Sequence, residues 1–468
     1  MKKVIFFLAS LIAAVTFMSE ASALPLFARQ TGMECSACHF QHFPMLTSFG
    51  RAFKSGAYTL MGTQGKVEGD NLSLPNTLNM AILSTMGYTK TNADGASAPS
   101  VGLAGTGART TGDGSVYVPG TNGEFSLFVG GRVSESMGAL AELGMLNDAG
   151  TGAGLSSAKT PMLWEVADGT RAGVVPFTTS GQGASYGFET LNTGANAIHT
   201  MLFIGGDFNG SVAPVVSAQQ YIGTATAATG AAIVVNDPSY FINVTKFHQA
   251  GPADLGGAGA ALTSTYLRVA GTFDMAGWDT GVGAQSWSGS STAVSFADTV
   301  TGAGAPGTPC TVDGNCAASP TPSFALMETK AWAIDGQMQG ELSNMPVGFY
   351  VTYASAAAPS AGGIDNAYNS GGTATKSAFN IAAELGVIPQ KATVGFGIRR
   401  GKSGSNLGSG VVGANDSDNA YLLEGSYKLA QNVLMNLIYT AQSGDYWSSA
   451  NTKAIGSKQT LLNVAVLW

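Results

Sequence analysis

Three residues near the start of the chain can act together. Cys35, Cys38 and His39 lie in the stretch MECSACHFQHFPMLTSFG, Met33 to Gly50, spaced as C-x-x-C-H. Two cysteine sulfurs at that separation can each form a thioether with a haem vinyl group, and the adjoining histidine then lies under the iron as its proximal ligand. The same pattern fits a redox dithiol or half of a zinc site. His42 cannot readily serve the same iron as His39. Histidines on opposite haem faces hold their Cα atoms on the order of 12 Å apart, and three extended residues span at most about 10 Å. Met61 has enough chain to wrap around the group and is the favoured distal ligand. Met33 and Met45 are nearer rivals, and His199 or His248 could reach in from the later chain. A methionine there would raise the potential relative to a second histidine.

The residues before the motif set its compartment. Lys2 and Lys3 precede an apolar run from Val4 to Met18, and Ala21-Ser22-Ala23 offers small residues for signal-peptide cleavage. Residues 1–23 therefore read as an export signal, and the run is shorter than the roughly 20 apolar residues of a spanning helix. Haem of the c type is attached outside the inner membrane, which is where this leader would deliver the motif.

The remaining chain must hold the motif in place. Of 468 residues only 11% are charged, 64 are glycine and 45% are apolar, with a formal net charge of -7. No basic stripe exists to neutralise phosphates, which argues against nucleic acid as a partner. No second apolar run of about 20 residues follows the leader, so helical spans are excluded and the apolar residues must alternate. They do. Val347, Phe349, Val351 and Tyr353 fall on one face, as do Val394, Phe396 and Ile398. Between Glu328 and Glu341, Trp332, Ile334 and Met338 oppose Asp335, Gln337, Gln339 and Glu341, so one face suits lipid and the other suits water.

Alternation alone would also fit a β-sandwich, and connection lengths decide between the two. Tight turns at Ser134-Glu135-Ser136, Leu342-Ser343-Asn344, Pro389-Gln390-Lys391 and Ala430-Gln431-Asn432 separate long polar stretches at Thr89 to Gly123, Ser288 to Ser323, Ser355 to Lys376, Gly401 to Asn419 and Ser443 to Lys458. Short turns at one end and long loops at the other characterise outer-membrane barrels, whose strands run about ten residues. The alternating run Leu461 to Trp468, with its terminal aromatic, is the usual final strand of such a barrel. The expected fold is all-β: an outer-membrane antiparallel β-barrel of roughly 16 strands over residues 75–468, in which Ile204 to Val235 is the stretch not parsed. Parity places the tight turns in the periplasm and the long loops outside. Cys310 and Cys316, in PCTVDGNC, then lie in an outer loop, where oxidising surroundings favour a structural disulfide; no histidine accompanies them as it would in a metal site. Asp416, Asp418 and Asp445 lie in outer loops too, but polar loops carry acids without binding metal.

Residues 24–74 read as a small cytochrome segment, partly helical, that plugs or caps the lumen. Pro44 can open a helix at its first position, Met45, Leu46, Phe49 and Phe53 then share a face, and Gly56 can close it. Some fifty residues are marginal as an independent domain, so the barrel is expected to supply a second wall. Arg29, Arg51, Lys54 and Lys66 are available to pair haem propionates, though solvated charges would look the same.

The run LPLFARQTGMECSACH, followed by Pro44, Leu46, FGRAFK and YTL, resembles the outer-membrane monohaem cytochrome-porin fusions of iron-oxidising bacteria. The likeness covers roughly Leu24 to Leu60, and for the barrel it is one of architecture. The chain departs from the family pattern at Phe40-Gln41-His42-Phe43. The resemblance implies one covalent haem c on Cys35 and Cys38 with His39 on the iron, Fe(II) as the extracellular donor, and a periplasmic c-type cytochrome as the onward carrier. It implies an oxidoreductase acting on Fe(II). Two other functions fit the residues: a diffusion porin with a structural haem-bearing plug, and an electron outlet to extracellular acceptors.

Overall fold

The structure is a computed structural model and describes residues 25–92, 114–119, 122–145, 154–193, 216–252, 261–296, 322–360, 364–404, 416–448 and 457–468. The leader, His199, Cys310 and Cys316 lie outside these residues. The described strands close into one antiparallel barrel of sixteen. In chain order these are β1 Met80–Thr91, β2 Phe125–Arg132, β3 Gly138–Gly144, β4 in two pieces, Gly154–Lys159 and Met162–Ala167, and β5 Thr170–Thr179. Then come β6 Ala228–Asp237, β7 Tyr240–His248, β8 Ser264–Met275, β9 Trp278–Phe296, β10 Ala331–Leu342 and β11 Met345–Ala356. The last are β12 Lys376–Ile388, β13 Ala392–Lys402, β14 Ser417–Ala430, β15 Val433–Ser443 and β16 Lys458–Leu467. β4 breaks at Thr160-Pro161, where proline has no N–H for the ladder. β16 pairs back onto β1, with Leu467 opposite Leu83 and Gln459 opposite Thr91, so no strand edge of the cylinder is left open.

Turn chemistry fixes the hairpins. Ser343 and Asn344 sit at φ 52 and 64, and Ala276 and Gly277 at φ 55 and 83, the paired positive values of a two-residue turn whose twist matches the strands. The four tight turns read from the sequence all join consecutive strands, and Asp168-Gly169, Pro238-Ser239 and Ala276-Gly277 make three more at the same end. The long connections lie at the opposite end.

The pleat sorts side chains as expected on the outside. Trp332, Ile334, Phe349, Val351, Ile381, Val394, Phe396, Leu423 and Leu437 are all exposed on the outer face. Leaving a Leu- or Ile-sized chain in water forgoes about 1.5–3 kcal/mol, so a belt of them around a closed cylinder is the face a bilayer covers. On the inside, Asp335, Gln337, Gln339, Asn380, Glu384 and Arg399 are buried, where the alternation alone suggested a face toward water.

Several runs of the chain cover that inner wall. Leu26 packs with Ala81, Leu83, Phe128, Leu434 and Leu467, and Met45 packs with Tyr350, Ala382, Leu422, Ile438 and Leu461. These partners belong to β1, β2, β11, β12, β14, β15 and β16, so residues of the N-terminal segment touch the wall on several sides. Toward the long-loop end, a short run at Ala184–Tyr186 and the helix Ala218–Ile222 join Phe247, Tyr266, Trp287 and Tyr368 in a second layer. The helix Ala218–Ile222 and β6 account for most of the described part of the stretch that the sequence left unparsed.

The N-terminal segment holds α1 Pro25–Thr31, α2 Cys35–Cys38 and α3 Ser48–Ser55, followed by an exposed hairpin, Lys66–Gly69 with Leu72–Pro75. The third helix begins later than Pro44 predicts. Thr47 is its N-cap, accepting from the Gly50 N–H, and Gly56 its C-cap. Pro44 and Met45 precede it because Met45 is already tied into a turn: its N–H bonds to the His42 carbonyl and its carbonyl to the Phe40 N–H. Phe53 is buried, whereas Phe49 is exposed, so the expected apolar stripe is split.

If the outer belt meets lipid, Ile381→Arg, midway along β12, should lower the free energy of folding into lipid vesicles by about 2–4 kcal/mol. Urea titration in vesicles measures this. A cost indistinguishable from that of Ile381→Ala would place this face away from the bilayer.

Candidate functional site

The motif occupies one helical turn and its exit. Glu34 enters α2 in an extended conformation (φ -67, ψ 155), and His39 leaves it in another (φ -113, ψ 131), its N–H bonded to the Cys35 carbonyl at 2.8 Å. Chain then loops through Phe40 to Met45 and returns beside its start: His39 and Leu46 form an antiparallel bridge, and Thr47 donates from its N–H to the Cys38 carbonyl at 3.0 Å and from Oγ1 to the Ala37 carbonyl at 2.8 Å. α3 lies so close that a Cβ on Gly50 would sit 2.1 Å from the Cys38 carbonyl oxygen. Only glycine permits that approach.

His39 is set for one role. Its Nδ1 lies 3.1 Å from the Met45 carbonyl, and a carbonyl only accepts, so Nδ1 carries the proton and Nε2 the lone pair. Burial outweighs the backbone hydrogen bonds and pulls its pKa down to about 4. The ring is therefore neutral at pH 7 with Nε2 able to ligate, the state that metal binding needs. Phe43 packs edge-on against it, with ring centres 5.5 Å apart.

Cys35 is buried and Cys38 half-buried, and the two are thiols rather than a disulfide. Burial raises the Cys38 pKa. Among the described residues no group of three or more His, Cys, Asp and Glu is placed to hold one metal ion. Two thiols on one turn beside a neutral imidazole fit haem c, in which the sulfurs would go to the porphyrin edge and the histidine to the metal.

His42 is committed elsewhere. Nε2 meets Glu384 Oε2 at 2.6 Å and Nδ1 donates to the Phe43 carbonyl at 3.0 Å. Burial would lower its pKa, but the Glu384 carboxylate prevails and holds it up to about 9, leaving an imidazolium that cannot ligate. Tyr350 donates to the other Glu384 oxygen at 2.7 Å. Of the rivals for the distal position, Met45 is wholly buried against the barrel wall, Met33 is exposed, and His248 bonds through Nδ1 to the Ala261 carbonyl at 3.1 Å. Met61 is half-buried, and the residues on either side of it, Leu60 and Gly62, are both bonded to Gln30.

The cations considered for propionates have other duties. Arg51 pairs with Asp279 at 2.7 Å, Lys66 with Glu68 at 2.6 Å in the exposed hairpin, and Arg29 donates to the Met80 carbonyl. Burial brings the Lys54 pKa down to about 8. Of the acids expected in outer loops, Asp418 lies instead in β14 and bonds to Arg399 and Trp447, and Asp445 bonds to Ser417.

The sequence did not point to Glu384, Asp279 or Asn192, which tie residues 42, 51 and 46 to the barrel. In a chain with 11% charged residues, an acid on the inward parity of a strand is the one signal that would have found the first two.

No protein-family model and no curated protein matches the chain. Among solved structures it is similar to OprB of Pseudomonas putida, at 12% identity and a TM-score of 0.47 over 83% of this chain and 94% of that one. It is also similar to OmpT of Vibrio cholerae, at 10% and 0.44 over 86% and 100%. The outer membrane channel DcaP of Acinetobacter baumannii matches at 9% and 0.43, over 84% and 97%.

Gly50→Ala should loosen the contact between α2 and α3 by about 1–3 kcal/mol, because the methyl group meets backbone that cannot turn aside. Hydrogen exchange across residues 35–55 should speed up, whereas the exposed-site control Ser48→Ala should leave it unchanged. Equal protection in both variants would mean that the helices do not pack this way.

Proposed function

We propose that the chain is an outer-membrane electron-transfer cytochrome, a haem-bearing segment seated in a barrel, that moves electrons between an extracellular donor and periplasmic carriers. One observation carries this reading: a half-buried, neutral His39 whose Nδ1 is held by Met45 and whose Nε2 is left to ligate, one residue beyond a C-x-x-C turn. Bound there, haem c would supply one-electron redox chemistry. Cys35 and Cys38 would hold it through thioethers, His39 would take the iron, and Met61 would be the distal ligand. The export leader, the apolar outer belt and the closed barrel support an outer-membrane setting. Fe(II) is the proposed donor, on the resemblance of residues 24–60 to the cytochrome-porin fusions; this makes the protein an oxidoreductase with Fe(II) as substrate and a periplasmic c-type cytochrome as partner.

The second reading is a diffusion porin with a structural plug. Sixteen strands favour it, since barrels of that size can hold an aqueous channel. Against it, the polar inner wall is buried under the N-terminal segment and the inward runs.

The purified protein should retain haem on a denaturing gel and lose it in the Cys35→Ala/Cys38→Ala double variant. Fe(II) should reduce the oxidised protein within a mixing experiment. His39→Ala should stop this reduction even where thioethers persist, and Met61→Ala should shift the spectrum and potential. Undiminished haem staining in the double variant would reject the attachment site. Reduction by a small chemical reductant but never by Fe(II) would reject iron as donor. Vesicles that admit sugars freely through a barrel inert to Fe(II) would favour the porin.

The orientation has its own test. A tag at Gln390 should be reached only after the outer membrane is opened, and one beside Cys310 from outside intact cells. Labelling of Gln390 on intact cells would reverse the topology.

A further inference from the structure

The inward run between β5 and β6 touches the N-terminal segment at Leu46. Asn192, fully buried, accepts the Leu46 N–H at 2.8 Å through Oδ1 and donates from Nδ2 to the Leu46 carbonyl at 3.1 Å. The Leu46 N–H belongs to the same peptide unit as the Met45 carbonyl, which accepts from His39 Nδ1 on its other side. One peptide plane is therefore held between Asn192 and His39.

Asn192 is itself anchored. Its N–H donates to Gln337 Oε1 at 2.7 Å, and the next residue, Thr193, donates from Oγ1 to Asp335 at 2.6 Å. Three residues earlier, Glu189 is bound by Arg268 Nε at 3.0 Å and by the N–H groups of Thr190 and Leu191. Arg268 also holds Asp335, so β8 and β10 grip the run from two sides. Buried pairs of this kind fix geometry more than they add stability.

We propose that Asn192 is a positioning residue for His39, acting through the Met45–Leu46 peptide to orient and strengthen the carbonyl that accepts from Nδ1. This rests on the reading of His39 as the haem ligand. The physical basis is twofold. An acceptor on a peptide N–H polarises the carbonyl of the same unit, and a stronger carbonyl draws on the imidazole proton. An imidazole whose Nδ1–H is drawn off becomes the more basic ligand, which stabilises the oxidised metal and lowers the potential. A residue of the barrel portion thereby tunes a group attached about 150 positions earlier in the chain, by no contact with that group.

The test uses the full-length holoprotein. Asn192→Leu, similar in volume but unable to bond, should raise the midpoint potential in a spectroelectrochemical titration and speed exchange of the His39 Nδ1 proton followed by NMR. Thr193→Val, which frees the same run from Asp335 without touching Leu46, should change neither. Asn192→Ser, polar but too short to span both Leu46 groups, should repeat the shift if the leucine variant does not assemble. An unchanged potential in an Asn192 variant that carries haem would overturn the proposal, as would equal shifts in the Asn192 and Thr193 variants. A wild-type protein without covalent haem would instead sink the reading of His39 on which it stands.

Discussion

Closure of the sheet is the constraint from which the rest follows. A strand that pairs on both sides sends alternate side chains inward, and in a cylinder all inward chains share one interior. That interior must be wet, filled by side chains or filled by another part of the chain. Here the residues pointing in include Asp335, Glu384, Arg268 and Arg399, which cannot be buried without partners. The N-terminal segment and the inward runs supply many of them: Glu384 meets His42, Asp279 meets Arg51, and Arg268 meets Glu189. Barrel and segment thus solve each other's problem. One has buried charges to satisfy, and the other has too few residues to build its own core.

The same contacts explain why the segment holds one position. Leu26 and Met45 are wholly buried against different parts of the wall, but apolar packing of this kind tolerates sliding. Hydrogen-bonded charges do not. His42 with Glu384 and Arg51 with Asp279 join β12 and β9, on different parts of the cylinder, to residues nine apart in the segment. Such pairs select among packings of similar energy, their best-supported use when buried.

Much of the barrel was legible because period two and turn chemistry act locally. The alternation around Trp332 and Phe396, the four tight turns and the approximate strand number all follow from neighbours in sequence. Parity says which side a residue faces, however, and not what lies on that side, so the inner face read as wet where it is covered. The helix at Ala218–Ile222, within the unparsed stretch, was illegible for a related reason. It runs inside the cylinder, where surroundings on every side erase the alternation that marks a wall. The third helix was misplaced by four residues because proline at a first turn and threonine at a cap are both good starts, and the backbone of Met45 decided between them by bonding to Phe40 and His42. At the motif, spacing brings two thiols and an imidazole to one turn, while the Met45 carbonyl that fixes the tautomer of His39 could emerge only once the loop had folded back.

Occupancy of the interior also bears on what such a protein can do. Solute diffusion needs a continuous aqueous path through the barrel, and each covered inward residue narrows it. Electron transfer needs no such path. It needs a redox group held at fixed geometry, shielded enough for its ligands to stay in one protonation state, and near enough to both faces for partners to approach. Desolvation lowers the His39 pKa to about 4, which keeps the ring neutral at physiological pH as the proposed redox role would need. The tethers at Glu384, Asp279 and Asn192 meet the first, since each ties the segment to strands that cannot move independently of the cylinder. A covered inner wall would obstruct an open pore but not the electron transfer proposed for this chain, and this is why the inward contacts and the C-x-x-C-H turn bear on the same proposal.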